Sequence, residues 1–163
     1  MRKALLFLII LGAMTSITCS RRALQTTRQD YLGTELRLDG VYYNKPQKAH
    51  FFLYRNGVFF DGGTGFRGSV NDLMKFYSQK ENYITAYQLP YAWGVFSIEN
   101  NQILIEKWVS SDAFGIYTTT NFDGAIINDT TLLLNYPVKS IAVDTFYFHK
   151  LSEKPDSTNT FIK

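Results

Sequence analysis

The chain has 163 residues, 45% of them hydrophobic, 16% aromatic and only 19% charged, with a formal net charge of +3. So apolar a composition excludes a disordered polyelectrolyte, and a single cysteine excludes a disulfide framework. Acids and bases are interspersed and no basic stripe accompanies the aromatics, which argues against a nucleic-acid surface.

The first element is a leader. Arg2 and Lys3 precede an uncharged, mostly apolar run from Ala4 to Ile17. That run is shorter than the roughly 20 residues a spanning helix needs, so residues 1–18 read as a removed signal rather than a transmembrane anchor. Its removal leaves about 145 residues, one domain's worth of chain, and the loss of two cations lowers the charge from +3 to +1. The sole cysteine, Cys19, stands where the apolar run stops. The box Ser16-Ile17-Thr18-Cys19 resembles that of bacterial lipoproteins, although Ser16 and Thr18 depart from its usual leucine and small residue. The resemblance implies acylation of Cys19, a membrane as partner through that lipid, and a place in the bacterial envelope. Ser20 lacks the inner-membrane aspartate, so the outer membrane, facing the periplasm, is expected. Arg21, Arg22 and Arg28 follow, either against anionic headgroups or in a solvated tether.

Residues 19–35 are polar and read as the tether, residues 36–151 as the folded domain and 152–163 as a tail. Within the domain, short runs of Phe, Tyr, Ile, Val and Thr alternate with turn residues, the signature of an all-β domain. Strands are expected near 38–44, 49–55, 58–62, 83–88, 92–99, 102–110, 113–120, 123–128, 131–135 and 141–150. Asn56-Gly57, Asn100-Asn101 and Asn128-Asp129 mark hairpins, so neighbouring strands run antiparallel in a meander. One short helix is expected from Ser69 to about Lys80, with Ser69 and Asp72 forming a capping box and Leu73, Phe76 and Tyr77 on one face.

Gly63, Gly65 and Gly68 spell G-x-G-x-x-G just before that helix. A dinucleotide site needs a parallel strand on each side and an acid about 20 residues on. Here the preceding strand is a hairpin arm, and "YITAYQLPYAW" supplies no acid. The glycines therefore read as a loop leading into the helix.

A sheet of this length is best closed, which removes its edges. The expected fold is an all-β antiparallel meander closed into a small barrel of about 8–10 strands with one short helix. Gly40-Val41-Tyr42 and the strand ending at Lys150 resemble the lipocalin-like class, in which a cation often packs over the first-strand aromatic. The segments "WGVFSIENNQILIE" and "NDTT" and the tail "KPDSTNTFIK" resemble small bacterial lipoproteins without a catalytic motif.

A two-residue turn at Asn100-Asn101 places Phe96, Ile98, Ile103 and Ile105 on one face and Trp93, Val95, Leu104, Glu106 and Trp108 on the other. The first set is core; the second is either a binding surface or an aromatic wall covered by the helix or tail. The same count at Asn56-Gly57 pairs Leu53 with Phe60 and Phe52 with Asp61, bringing His50 diagonal to Asp61. Tyr43, Phe52, Tyr54, Trp93, Trp108 and Tyr117 are the candidate ligand-facing or partner-facing residues. No catalytic residue, cofactor or metal site is nominated, since H-E-x-x-H, G-x-S-x-G and C-x-x-C are all missing. The expected function is non-enzymatic binding of a small apolar ligand in or at the barrel. The alternative is a filled barrel that docks onto an envelope protein complex.

Overall fold

The computed structural model describes residues 22–110, 116–135 and 143–163. Cys19 and the leader lie outside the described residues, as do the first parts of the strands expected at 113–120 and 141–150. Eight strands follow one another in a closed antiparallel barrel: β1 (Gly40–Asn44), β2 (Ala49–Leu53), β3 (Val58–Gly63), β4 (Trp93–Glu99), β5 (Gln102–Ser110), β6 (Tyr117–Asn128), β7 (Thr131–Leu134) and β8 (Asp144–Lys150). Closure is made by β1 against β8, from Gly40 opposite Lys150 to Tyr43 opposite Tyr147. The architecture is consistent with the lipocalin-like class. Lys150, however, does not pack over the first-strand aromatic: it is exposed beside Asp39, and at this seam Arg37 lies over a β8 ring, 4.6 Å from the Phe148 centroid.

Alternation along the strands sends one residue set inward. Tyr42, Phe51, Leu53, Phe59, Phe96, Ile103, Ile105, Phe122, Leu132, Leu134 and Phe146 form the interior, each at most 3% exposed. Phe51 contacts Phe146 and Phe59 with ring centroids 4.9 and 5.4 Å apart, and Tyr42 stacks on Phe51 at 5.6 Å. The end carrying the tight turns is closed by the segment before β1. Buried Tyr31 and Leu36 join the interior cluster, and Arg55 Nη1 donates to the carbonyls of Tyr31 and Gly33 at 3.0 and 2.8 Å.

The turn at Asn100-Asn101 has both residues at positive φ, 51° and 61°, and Glu99 faces Gln102 as expected. The first hairpin departs from expectation. Tyr54 N donates to Val58 O, so three residues, Arg55 to Gly57, make the loop, and only Gly57 is left-handed at φ +75°. The extra residue shifts the register by one: Phe52 faces Phe60 and Leu53 faces Phe59. From Tyr117 onward the strands expected at 113–120 and 123–128 are the single strand β6, because Asn121 and Phe122, where a break was expected, stay in the ladder opposite Glu106 and Ile105, with Phe122 turned into the core.

Between β3 and β4 lie two helices rather than one, α1 (Val70–Tyr77) and α2 (Lys80–Tyr87). The Ser69–Asp72 capping box forms at the start of α1 as the sequence indicates. The run read as a strand at 83–88 is in α2. Its aromatics, Tyr83 and Tyr87, are four residues apart and share a helix face 5.3 Å from one another. Since β3 pairs antiparallel with both β2 and β4, the three glycines sit in no βαβ unit.

Gly57 fits where a Cβ would lie 2.1 Å from the Gln29 carbonyl oxygen. Gly57→Ala is therefore expected to cost at least about 1–2 kcal/mol from the left-handed conformation alone. A lowered urea midpoint with an unchanged slope is the measurement that checks it.

Candidate functional site

The strands are apolar on their outer face as well. Val41, Tyr43, Phe52, Tyr54, Val58, Phe60, Trp93 and Trp108 point away from the interior and form a second buried cluster with Leu73 and Tyr77 of α1 and with Leu151. Five of the six candidate residues, Tyr43, Phe52, Tyr54, Trp93 and Trp108, belong to this cluster, and half-buried Tyr117 packs against it. They come together as a covered wall. Phe52 meets Tyr77 at 4.7 Å, Phe60 meets Trp93 at 4.8 Å, and the Tyr87 ring of α2 stands edge-on to Trp93 at 4.7 Å while the Tyr87 backbone carbonyl accepts the indole N–H at 2.9 Å.

The remaining cover comes from the two ends of the chain. Residues 22–28 cross the wall as a strap. The Trp108 indole donates to the Arg22 carbonyl at 2.6 Å, and Arg22 N donates to Tyr117 O at 3.0 Å. Glu106, 2% exposed, accepts the amides of Gln25 at 2.9 and 3.0 Å and of Thr26 at 2.6 Å. Burial raises its pKa, but these donors outweigh burial and hold the carboxyl below its ordinary value. The tail is fastened by Lys154, whose ammonium donates to the carbonyls of Leu38 and Leu53 at 2.6 and 2.5 Å and lies 4.0 Å from the Tyr54 ring centroid. Burial pushes this amine down to about 7. Between strap and tail runs a groove of about 450 Å³, with Val95 and Trp108 among its lining and Leu24, Phe161, Ile162 and Arg28 around it.

No family model, curated protein or solved structure matches the chain. The functional reading therefore rests on the residues themselves.

His50 and Asp61 do not meet as a pair. The three-residue loop and a bulge beside His50 move the register, so that His50 lies on the outer face and Asp61 inside the barrel. Asp61 forms an ion pair with Lys107, both largely buried. His50 Nε2 lies 2.8 Å from the Tyr77 hydroxyl and fastens α1 to β2. Among the described residues, no three His, Asp, Glu or Cys side chains converge as metal ligands. Sequence reasoning missed Glu106 as the strap's acceptor and Lys154 as the tail's clamp. An acid on a strand face otherwise rich in aromatics was the visible signal for the first; a lysine just before Pro155 in a tail gave none.

Two predictions follow from these fastenings. Glu106→Ala leaves two amides without their charged acceptor, and the undocked strap is expected to be cut by trypsin at Arg28 faster than in the parent. The expected weakening is about 1.5–3 kcal/mol, the range for hydrogen bonds to a charged group; unchanged cleavage would show that the strap is held by packing alone. The second concerns acid stability. Burial lowers His50 to about 4, while an unfolded histidine titrates near 6.5. Between those values the unfolded chain binds the extra proton, so stability falls as pH falls from about 6.5 toward 4, by on the order of 1–3 kcal/mol. His50→Gln should flatten that slope in chemical denaturation measured across the window; His149, also lowered by burial, leaves the residual slope.

Proposed function

We propose that this protein is a non-enzymatic, lipid-anchored lipoprotein of the bacterial envelope, held through Cys19 at the outer membrane facing the periplasm, whose filled barrel docks onto an envelope protein partner. The observation that carries the docking reading is the interior: rings of Tyr42, Phe51, Phe59, Phe96, Phe122 and Phe146 interlock where a carrier would keep space. A barrel of eight strands is just wide enough for side chains to fill. The outer wall is likewise occupied by the chain's own helices, strap and tail. The non-enzymatic reading is supported by the structural partners of the groups that could do chemistry: His50 with Tyr77, Asp61 with Lys107, and Glu106 with two backbone amides. The anchor reading is supported by the leader's cations, its short apolar run and the sole cysteine at its end.

The groove beside Trp108 favours a second reading, a small apolar ligand held at the barrel rather than in it. About 450 Å³ falls within the usual range of small-molecule sites.

Native mass spectrometry of the protein purified from its own envelope in mild detergent, beside a Cys19→Ala form, tests all of this. An acyl mass lost in the variant, with a stoichiometric partner protein retained, is the expected result. A non-covalent small molecule that disappears in Trp108→Ala would transfer the function to the groove, and an unacylated wild type would remove the anchor.

A further inference from the structure

Three observations meet at one edge of the barrel. Arg22 is bonded to the start of β6 and to Trp108, and Glu106 holds the amides three and four residues further on, so the strap is fixed from Arg22 to Thr26. Cys19 precedes Arg22 by three residues, and three residues reach at most about 11 Å whatever their conformation. Beside Arg22 lies half-buried Tyr117, on which Tyr91, 40% exposed, stacks with ring centroids 6.4 Å apart; Ile116, 41% exposed, precedes Tyr117 in the chain.

We propose that Tyr91 and Tyr117, with Arg22 and Ile116 at their rim, form a face that rests in the headgroup layer of the bilayer to which Cys19 is attached. This rests on the anchor reading above. An acylated cysteine sits at the boundary of the acyl chains, and the headgroup region on each side is about 5–8 Å thick. The leash is therefore too short to lift Arg22 far above the lipid. Tyrosine suits that depth, with its ring in the apolar boundary and its hydroxyl in water. Arginine adds attraction to anionic headgroups. The strap is what makes the contact obligatory: with residues 22–26 free, the leash would be several residues longer and the barrel could turn any side toward the membrane. Resting on this face also sets the orientation. The turns at Arg55–Gly57, Asn100-Asn101 and Asn128–Thr130 lie at the other end of the strands, pointing away from the lipid.

The test uses full-length acylated protein purified from its envelope, carrying one introduced cysteine labelled with an environment-sensitive dye, in vesicles of phosphatidylethanolamine and phosphatidylglycerol that contain a nitroxide lipid. Tyr91→Cys and Ile116→Cys are two independent reporters of the patch. Ile127→Cys reports the far end of β6, about 30 Å along the strand from Tyr117, at a position 56% exposed. Dyes at 91 and 116 are expected to shift to the blue and lose most of their emission to the nitroxide, while the dye at 127 keeps its own. Protein that floats with the vesicles but shows no quenching at 91 or 116 overturns the resting face while leaving the anchor, and returns the patch to a protein contact. Protein that does not float with the vesicles overturns the anchor and this inference with it.

Discussion

Strands β1 to β3 are apolar on both faces, and the rest of the molecule follows from covering both. A strand alternates its side chains, so a barrel closed on itself can bury only one set. Here Tyr42, Phe51 and Phe59 go inward while Val41, Tyr43, Phe52, Val58 and Phe60 go outward, all 4% exposed or less. Each large apolar side chain left wet would forgo about 1.5–3 kcal/mol. The outer set is therefore covered by α1, α2, the strap and the tail, and most of the polar clamps in the structure sit where these pieces land.

Glu106 shows how a covering piece is given a fixed position. Packing against tryptophan is tolerant of sliding, whereas one carboxylate accepting two successive amides admits a single register. Burial alone would push the carboxyl toward its neutral form; the backbone donors reverse that. Lys154 plays the matching part for the tail with two carbonyls, but as the desolvated partner whose charge burial opposes. The two clamps thus have opposite electrostatic character, one stabilised as an ion by its donors and the other held against its tendency to lose a proton.

The sheet was legible wherever its alternation was clean. In β4 and β5 the turn at Asn100-Asn101 places Phe96 opposite Ile105 and Ile98 opposite Ile103, as counting from the turn predicts. Counting failed at Asn56-Gly57 because the same dipeptide serves a two-residue or a three-residue loop, and the choice depends on Gly57 meeting the Gln29 backbone, a contact remote in sequence. Helix α2 was hidden for a different reason. Tyr83 and Tyr87 have the residue type of a strand and the spacing of a helix, and only the outer aromatic wall decides between them. The candidate residues lie on one wall of the barrel, but whether that wall is open or covered depends on a strap whose own sequence, polar from Arg22 to Asp30 except at Ala23 and Leu24, reads as solvated chain.

This reversal changes what the aromatic excess means. Counted from composition, 13 Phe, 11 Tyr and 2 Trp suggest surface held ready for a ligand. In the fold, most of that surface is consumed by the two-sided burial of a small sheet, and the clusters account for both tryptophans. Of the large apolar groups that the fold leaves partly exposed, two lie near the first hydrogen bonds of the strap. Tyr91 lies in the short helical turn, Pro90–Ala92, that leads into β4, and Ile116 precedes β6, whose first residue is bonded to Arg22. With Arg22 bonded to Tyr117 and Tyr117 stacked on Tyr91, the chain is fastened beside this pair without burying it, which makes the exposure of Tyr91 a property of where the chain is pinned rather than of a sheet with too little cover.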